Sequence, residues 1–264
     1  MRRVVSPLAW LAVVAFTLAA CATSPGAPPS SRPTPSAAVP TPSSASPTPA
    51  LTAVTSPSDA ASPDGADARI VPVGPDQWAR ITAAGMARTG CPVRRTDLRR
   101  VEVNYWGFDG AVHRGVLVVN ADVAESTARI VTRLFDAHFP IHRMRPMEEY
   151  GGDDQKAMLD DDTSAYNCRA ASQQNAPPTK SPHANGRAID VNPFENPWQD
   201  PRCRCWSPSA LYGTHREGRG VIVKGDVVWT AFTTEHWIWQ DITVTDWMHF
   251  DTGYPSKPVA LSRD

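Results

Sequence analysis

Val101-Glu102-Val103-Asn104-Tyr105 alternates apolar and polar residues; Phe108-Asp109-Gly110 follows, and Val116–Val119 resumes an apolar run. Alternation at period two marks a half-buried strand. An Asp-Gly step between two such runs marks the turn of a hairpin. Asp122, with Glu125 three residues on, resembles a capping box. Val123, Thr127, Ile130, Val131, Leu134 and Phe135 then recur at helical spacing until Pro140 stops the pattern. Upstream, Gln77–Arg88 reads as a helix with Trp78, Ile81 and Met86 as its apolar residues, stopped by Gly90-Cys91-Pro92. Strands and helices mix without a regular β-α-β alternation. The expected class is therefore α+β rather than a parallel sheet. No internal repeat is visible.

Outward from this region the composition changes. The chain has 264 residues, 41% apolar and 20% charged, with a formal net charge of −1. Such a balance argues against a nucleic-acid partner, which needs a basic patch to neutralise phosphates. The 26 prolines are about twice the usual share, and many lie near the N-terminus. Ala22–Ala66 holds 11 Pro, 10 Ser, 10 Ala and 6 Thr, no aromatic residue, and only Arg32, Asp59 and Asp64 as charges. It cannot bury enough apolar surface to offset its ordering entropy, so an extended, disordered tether is expected.

Ahead of the tether, Arg2 and Arg3 precede an uncharged, mostly apolar run, Leu8–Ala20. The run is too short for a stable membrane-spanning helix, which needs about 20 residues, but it fits the core of a signal peptide. It ends in Leu18-Ala19-Ala20-Cys21, which resembles the lipobox of bacterial lipoproteins, where cleavage falls before a cysteine that becomes lipidated. The competing reading is plain secretion. The expected organisation is a signal peptide over residues 1–20, a lipidated Cys21 with its tether over residues 21–66, and a folded domain over residues 67–264. The implied location is the extracytoplasmic face of a cell membrane. Export into an oxidising compartment makes disulfides plausible among Cys91, Cys168, Cys203 and Cys205. The pairing stays open, with Cys203 to Cys205 least favoured because only one residue separates them.

The chemistry lies further along the chain. Ser181-Pro182-His183-Ala184-Asn185-Gly186-Arg187-Ala188-Ile189-Asp190-Val191-Asn192 brings a histidine and an aspartate seven residues apart around a glycine. Asp246-Trp247-Met248-His249-Phe250-Asp251 follows near the C-terminus, and alternation would put His249 and Asp251 on one side of a strand. Two imidazoles and one carboxylate suit zinc and leave a position open for water.

The pattern Ser-x-His-x-x-Gly-x-Ala-x-Asp, followed by Asp-x-x-His, resembles the VanY-type D-alanyl-D-alanine carboxypeptidases, zinc metallopeptidases that share their fold with the Hedgehog signalling domain. The resemblance implies a small central antiparallel sheet flanked by helices. It also implies His183, Asp190 and His249 as the Zn2+ ligands and Asp246 as general base. Thr163-Ser164-Ala165-Tyr166-Asn167-Cys168-Arg169 is similar to the family's arginine-bearing segment. That makes Arg169 a substrate-binding or oxyanion-stabilising group, and Ser181 a support for the loop or the substrate. Tyr166 receives no catalytic role. One stretch departs from the family: relatives often show Gly-Trp-x-Trp-Gly-Gly where this chain has His236-Trp237-Ile238-Trp239-Gln240-Asp241. The segment from Trp239 to Asp246 also looks shorter, which puts the cleft wall in doubt and leaves the triad intact.

The implied activity is zinc-dependent hydrolysis of peptidoglycan stem peptides by a monomer, as a D,D-carboxypeptidase. A peptidoglycan endopeptidase and a non-catalytic, zinc-stabilised cell-wall-binding domain stay open beside it. His113, His138, His142, His215 and His236 are read as surface or core. Asp160-Asp161-Asp162 is read as a solvated loop, and Trp229, Trp237, Trp239 and Trp247 as core and cleft wall.

Overall fold

The computed structural model describes residues 64–169, 178–215, 217–241 and 245–258. The expected signal peptide, Cys21 and nearly all of the expected tether lie outside them. Residues just ahead of Asp67 already join the fold. Ala66 is buried and its carbonyl accepts the Asn104 amide at 2.7 Å, while Gly65 O accepts Asn104 Nδ2 at 2.9 Å.

The first sheet is antiparallel in the order β1 (Arg69–Pro72), β2 (Leu98–Trp106), β3 (Val112–Asn120). β2 and β3 form the expected hairpin, pairing Val101 with Leu117 and Trp106 with Val112. Asp109 Oδ1 accepts the Ala111 amide in its turn. Helix α1 (Pro75–Ala83), between β1 and β2, starts earlier and ends sooner than its apolar spacing suggests. Pro75 takes the first-turn position, where its missing N–H costs nothing, and Gly85 at φ 73° leaves the helix.

Helix α2 (Ala124–Asp136) buries Thr127, Ile130, Val131, Leu134 and Phe135, the stripe read from the sequence. No capping box starts it: Asn120 Oδ1 accepts the Asp122 amide, and the Asp122 carboxylate is held by Arg187 at 2.7 Å instead. A short α3 (Asp154–Leu159) follows.

The second sheet contains β4 (Ala188–Asp190), β5 (Trp198–Asp200), β6 (Cys205–Ser207), β7 (Ile238–Asp241) and β8 (Thr245–Asp251), all antiparallel. It runs in the order β4-β8-β5-β6, with β7 also paired to β8. The class is α+β, as expected, with two antiparallel sheets where the resemblance implies one central sheet. They share one core. The α2 stripe and Phe232 of α4 (Val227–Thr234) meet Val101, Val103 and Leu117 from the first sheet and Ile189 and Phe250 from the second. Phe232 and Phe250 stack with centroids 4.0 Å apart. On the other side of β3, Val118 packs with Ile81, Met86, Met147 and Tyr166. β3 is thus buried on both faces, and its end abuts the loop that begins the site.

Candidate active site

Ser181 Oγ accepts the Ala184 amide at 3.3 Å and starts a 3-10 turn over His183–Asn185. The hydroxyl therefore supports the loop. Gly186 ends the turn at φ 67°, a conformation that favours glycine, and a Cβ there would meet the Asn120 backbone nitrogen at 2.7 Å. Gly186 O accepts that same amide at 2.7 Å. Arg187 then grips Asp122, and β4 carries Asp190 directly across from His249 on β8.

The turn and the two strands bring His183, Asp190 and His249 together, with their ligand atoms all within 4.8 Å of one another. His183 Nδ1 lies 2.7 Å from Ala165 O, which can only accept. The ring therefore donates from Nδ1 and keeps the lone pair on Nε2. His249 Nε2 lies 3.2 Å from Asp251 Oδ2, so this ring donates there and keeps its lone pair on Nδ1. The two free nitrogens lie 3.0 Å apart. His249 Nδ1 is 2.8 Å from Asp190 Oδ1, and His183 Nε2 is 3.1 Å from Asp190 Oδ2. Three acceptors thus converge. One proton can relieve a single pair among them, whereas a divalent cation satisfies all three. Without a metal ion, burial works against the ionised Asp190, but positive charge and donated hydrogen bonds from His183 and His249 outweigh it and hold the carboxyl far below the usual carboxylate range. The donor set fits a metal ion.

Asp246 lies in β8 itself, three residues before His249. Its Oδ1 is buried with no hydrogen-bond partner in the protein. Burial first, then repulsion from Asp190, pushes its pKa up to about 7 against the pull of His249 and Arg169. Arg169 Nη2 donates to Asp154 Oδ1 at 2.8 Å and sits 4.0 Å from Asp190 Oδ2. The sequence-derived set of His183, Asp190, His249, Asp246 and Arg169 is therefore assembled. Two further residues belong with it. Asp251 orients His249, a role that the alternation of β8 makes readable. Asp154 anchors Arg169 from α3, and no spacing in the chain signals this.

Several other readings change. Asp160-Asp161-Asp162 is no solvated loop. Asp161 and Asp162 are 5% and 0% exposed, because Asp161 at φ 53° turns the chain inward. The Phe194 and Arg145 amides donate to these two carboxylates, and Tyr150 OH donates to Asp160 at 2.7 Å. Cys203 pairs with Cys205 after all. Arg204 at φ 56° folds the chain back between them, leaving the Cα atoms 5.1 Å apart, within bridging range. Cys91 pairs with Cys168 across 77 residues. Where relatives have the first glycine of their Trp motif, His236 adopts φ 63°, a conformation that favours glycine. Trp237 is buried and donates to Ser126, and Trp239 Nε1 donates to Trp247 O at 2.8 Å. His215 stacks on Trp247 at 3.7 Å and Trp206 stacks on it at 4.6 Å. Trp247 is thereby a packed wall. Tyr166 is likewise structural, its hydroxyl donating to Met86 O at 2.6 Å.

Residues 174–252 match the family model described as D-alanyl-D-alanine carboxypeptidase. No curated protein and no solved structure matches the chain. The matched segment contains the whole triad and Asp246, while Arg169 lies just ahead of it. Over the segment that builds this centre, the chain is similar to the D-alanyl-D-alanine carboxypeptidase family.

Proposed function

We propose that this protein is a zinc-dependent D,D-carboxypeptidase that hydrolyses D-Ala-containing peptidoglycan stem peptides. The observation that carries the reading is the convergence of His183 Nε2, His249 Nδ1 and the Asp190 carboxylate beside the unpartnered Asp246 Oδ1. When bound by these three residues, zinc supplies an acidified water and a Lewis acid for the scissile carbonyl. Asp246 accepts a proton from the attacking water and returns it to the departing amine. The C–N bond of the terminal D-alanine breaks as the new C–O bond forms, so the products are the shortened peptide and free D-alanine. The Arg169 guanidinium offsets negative charge on the reacting oxygen or grips the terminal carboxylate with paired hydrogen bonds. The second role favours cleavage at a chain end.

The test is mass spectrometry of muropeptides incubated with the zinc-loaded protein. Release of free D-alanine is expected. A larger fragment would instead identify an endopeptidase, and the absence of any product from protein with full zinc would identify a binding domain.

We propose further that the protein is anchored through Cys21 on the outer face of the cell membrane. The lipobox-like Leu18-Ala19-Ala20-Cys21 supports this. A 45-residue coil spans about 35–40 Å, a reach that suits the inner cell wall. Cys21→Ala is expected to move the protein from the membrane to the soluble fraction, and soluble wild-type protein would overturn the anchor.

A further inference from the structure

We infer that Asp154 is a positioning residue that, with the Cys91–Cys168 disulfide and Arg88, clamps Arg169 for recognition of a substrate's terminal carboxylate. The inference rests on the reading that Arg169 faces substrate. Three contacts converge on this one residue. On the side chain, Asp154 Oδ1 accepts from Nη2 at 2.8 Å and also takes Asn167 Nδ2 at 3.4 Å. On the backbone, the Arg88 guanidinium donates to the carbonyls of both Cys168 and Arg169. Covalently, the neighbouring Cys168 is tied to Cys91.

The clamp solves a problem set by the site's own charges. Arg169 Nη2 lies only 4.0 Å from Asp190 Oδ2, and Asp190 belongs to the triad. Without Asp154, Asp190 is the carboxylate nearest that nitrogen, and an ion pair between them would turn the guanidinium away from substrate. Asp154 satisfies Nη2 and holds the group in place. The Arg169 side chain is 11% exposed, and its buried Nε has no partner in the protein. A fixed, partly desolvated fork of this kind recognises a carboxylate better than a mobile surface arginine does.

The experiment measures peptide affinity by calorimetry on the zinc-loaded full-length protein in an Asp246→Asn background, where turnover is suppressed. The probes are an acetylated peptide ending in D-Ala-D-Ala and the same peptide as its C-terminal amide. Asp154→Asn is expected to weaken the carboxylate peptide about tenfold, on the scale of a lost charge-assisted contact. The amide should change less than about twofold, and zinc content should not change. Asp154→Glu should restore most of the preference. If α3 does not tolerate Asn, the Cys91→Ala/Cys168→Ala pair loosens the same residue from its backbone side and should produce the same selective loss. Unchanged affinity in both variants, with Arg169→Ala still selectively weakened, overturns the clamp and leaves the function standing. If Arg169→Ala binds both peptides like its parent, Arg169 does not face substrate and the clamp falls with that reading.

Discussion

The β2–β3 hairpin with α2 and the β4–β8 layer are both buried, yet they are held by different forces. In the first, the interior is Val101, Val103, Leu117, Val119, Ile130, Val131 and Leu134. Its stability follows the area removed from water and is nearly indifferent to direction. In the second, His183, Asp190, Asn192, Asn196 and Asp251 are all buried polar groups. There every donor must find an acceptor. Asn196 shows the density of this wiring: its Nδ2 lies within hydrogen-bonding distance of the carbonyls of Val191, Asn192 and Gly220, and its Oδ1 accepts the Ile222 amide at 2.8 Å. The apolar layer makes a platform, and the polar layer spends that rigidity on holding lone pairs toward one point.

The two regions should therefore fail differently. The largest effect is expected within the polar layer, where metal binding and chemistry separate. His183→Ala removes a ligand nitrogen, so zinc content and activity should disappear together. Asp246→Asn keeps shape and polarity but cannot accept a proton. It should retain zinc and the wild-type unfolding temperature while turnover falls by about 10² to 10⁴. Elemental analysis, thermal melts and D-alanine release on the same preparations decide the matter. Zinc loss in Asp246→Asn would make Asp246 a ligand.

Next in size is Leu134→Ala in α2, where Leu134 is 2% exposed. Its truncation should cost about 2–5 kcal/mol of folding stability and leave zinc affinity untouched below the melting range. Denaturant unfolding and a zinc titration, made side by side, test both halves. A matching loss of zinc affinity would mean that the two layers are one mechanical unit.

These contrasts explain which parts of the molecule are legible in the chain. The α2 stripe is readable because burying a helix face forces period 3.6 on its apolar residues. His183 and Asp190 are readable because one turn and one short strand deliver them from a seven-residue spacing, and His249 joins them through the resemblance of both motifs to the family. Asp154 is hidden: its partner Arg169 is 15 residues away across an irregular segment, and a surface helix start explains an aspartate equally well. Burial of Asp161 and Asp162 is hidden too, because it depends on amides of Phe194 and Arg145 that no local pattern reveals. The Cys203–Cys205 pair depended on a left-handed Arg204, a conformation for which the sequence offers no glycine as a signal.

A smaller effect probes the orientation of His249. Asp251 is 2% exposed, its Oδ2 faces His249 Nε2, and its Oδ1 accepts the Gly253 amide at 2.7 Å. Asp251→Asn keeps the volume but removes the charge that fixes the ring's donor side. Zinc affinity should fall about 10- to 100-fold, the usual worth of a carboxylate behind a ligating histidine, with the secondary structure unchanged. Competition with a chelator of known affinity measures it. Unaltered affinity would mean that β8 alone orients the ring.

The smallest expected effect lies in the buried carboxyl pair of Asp161 and Glu195, away from the triad. Burial first, then the adjacent Asp161, pushes the Glu195 pKa up to about 8 from an ordinary value of 4.5, and burial also raises Asp161. His142 Nδ1, 3.6 Å from Asp161 Oδ2, is the nearby cation when protonated. In the folded protein Glu195 keeps its proton up to about pH 8, whereas in the unfolded chain it loses it near 4.5. Between those values the folded state binds more protons, so this pair's contribution to stability is complete below about pH 4.5 and declines as pH rises toward 8. Carboxyls held low in the fold, such as Glu235 beside Arg129 and Arg133, are lost below pH 4.5 and do not overlap that window. Asp246 and Asp162 titrate in the same direction as Glu195, so the pair is isolated by difference. Glu195→Gln cannot ionise. Melting temperatures of metal-free wild type and variant between pH 5 and 8.5, as approximate limits, should diverge by a few degrees, with the wild type falling more steeply. Parallel curves would mean that the pair is solvated and that the buried polar network ends before it.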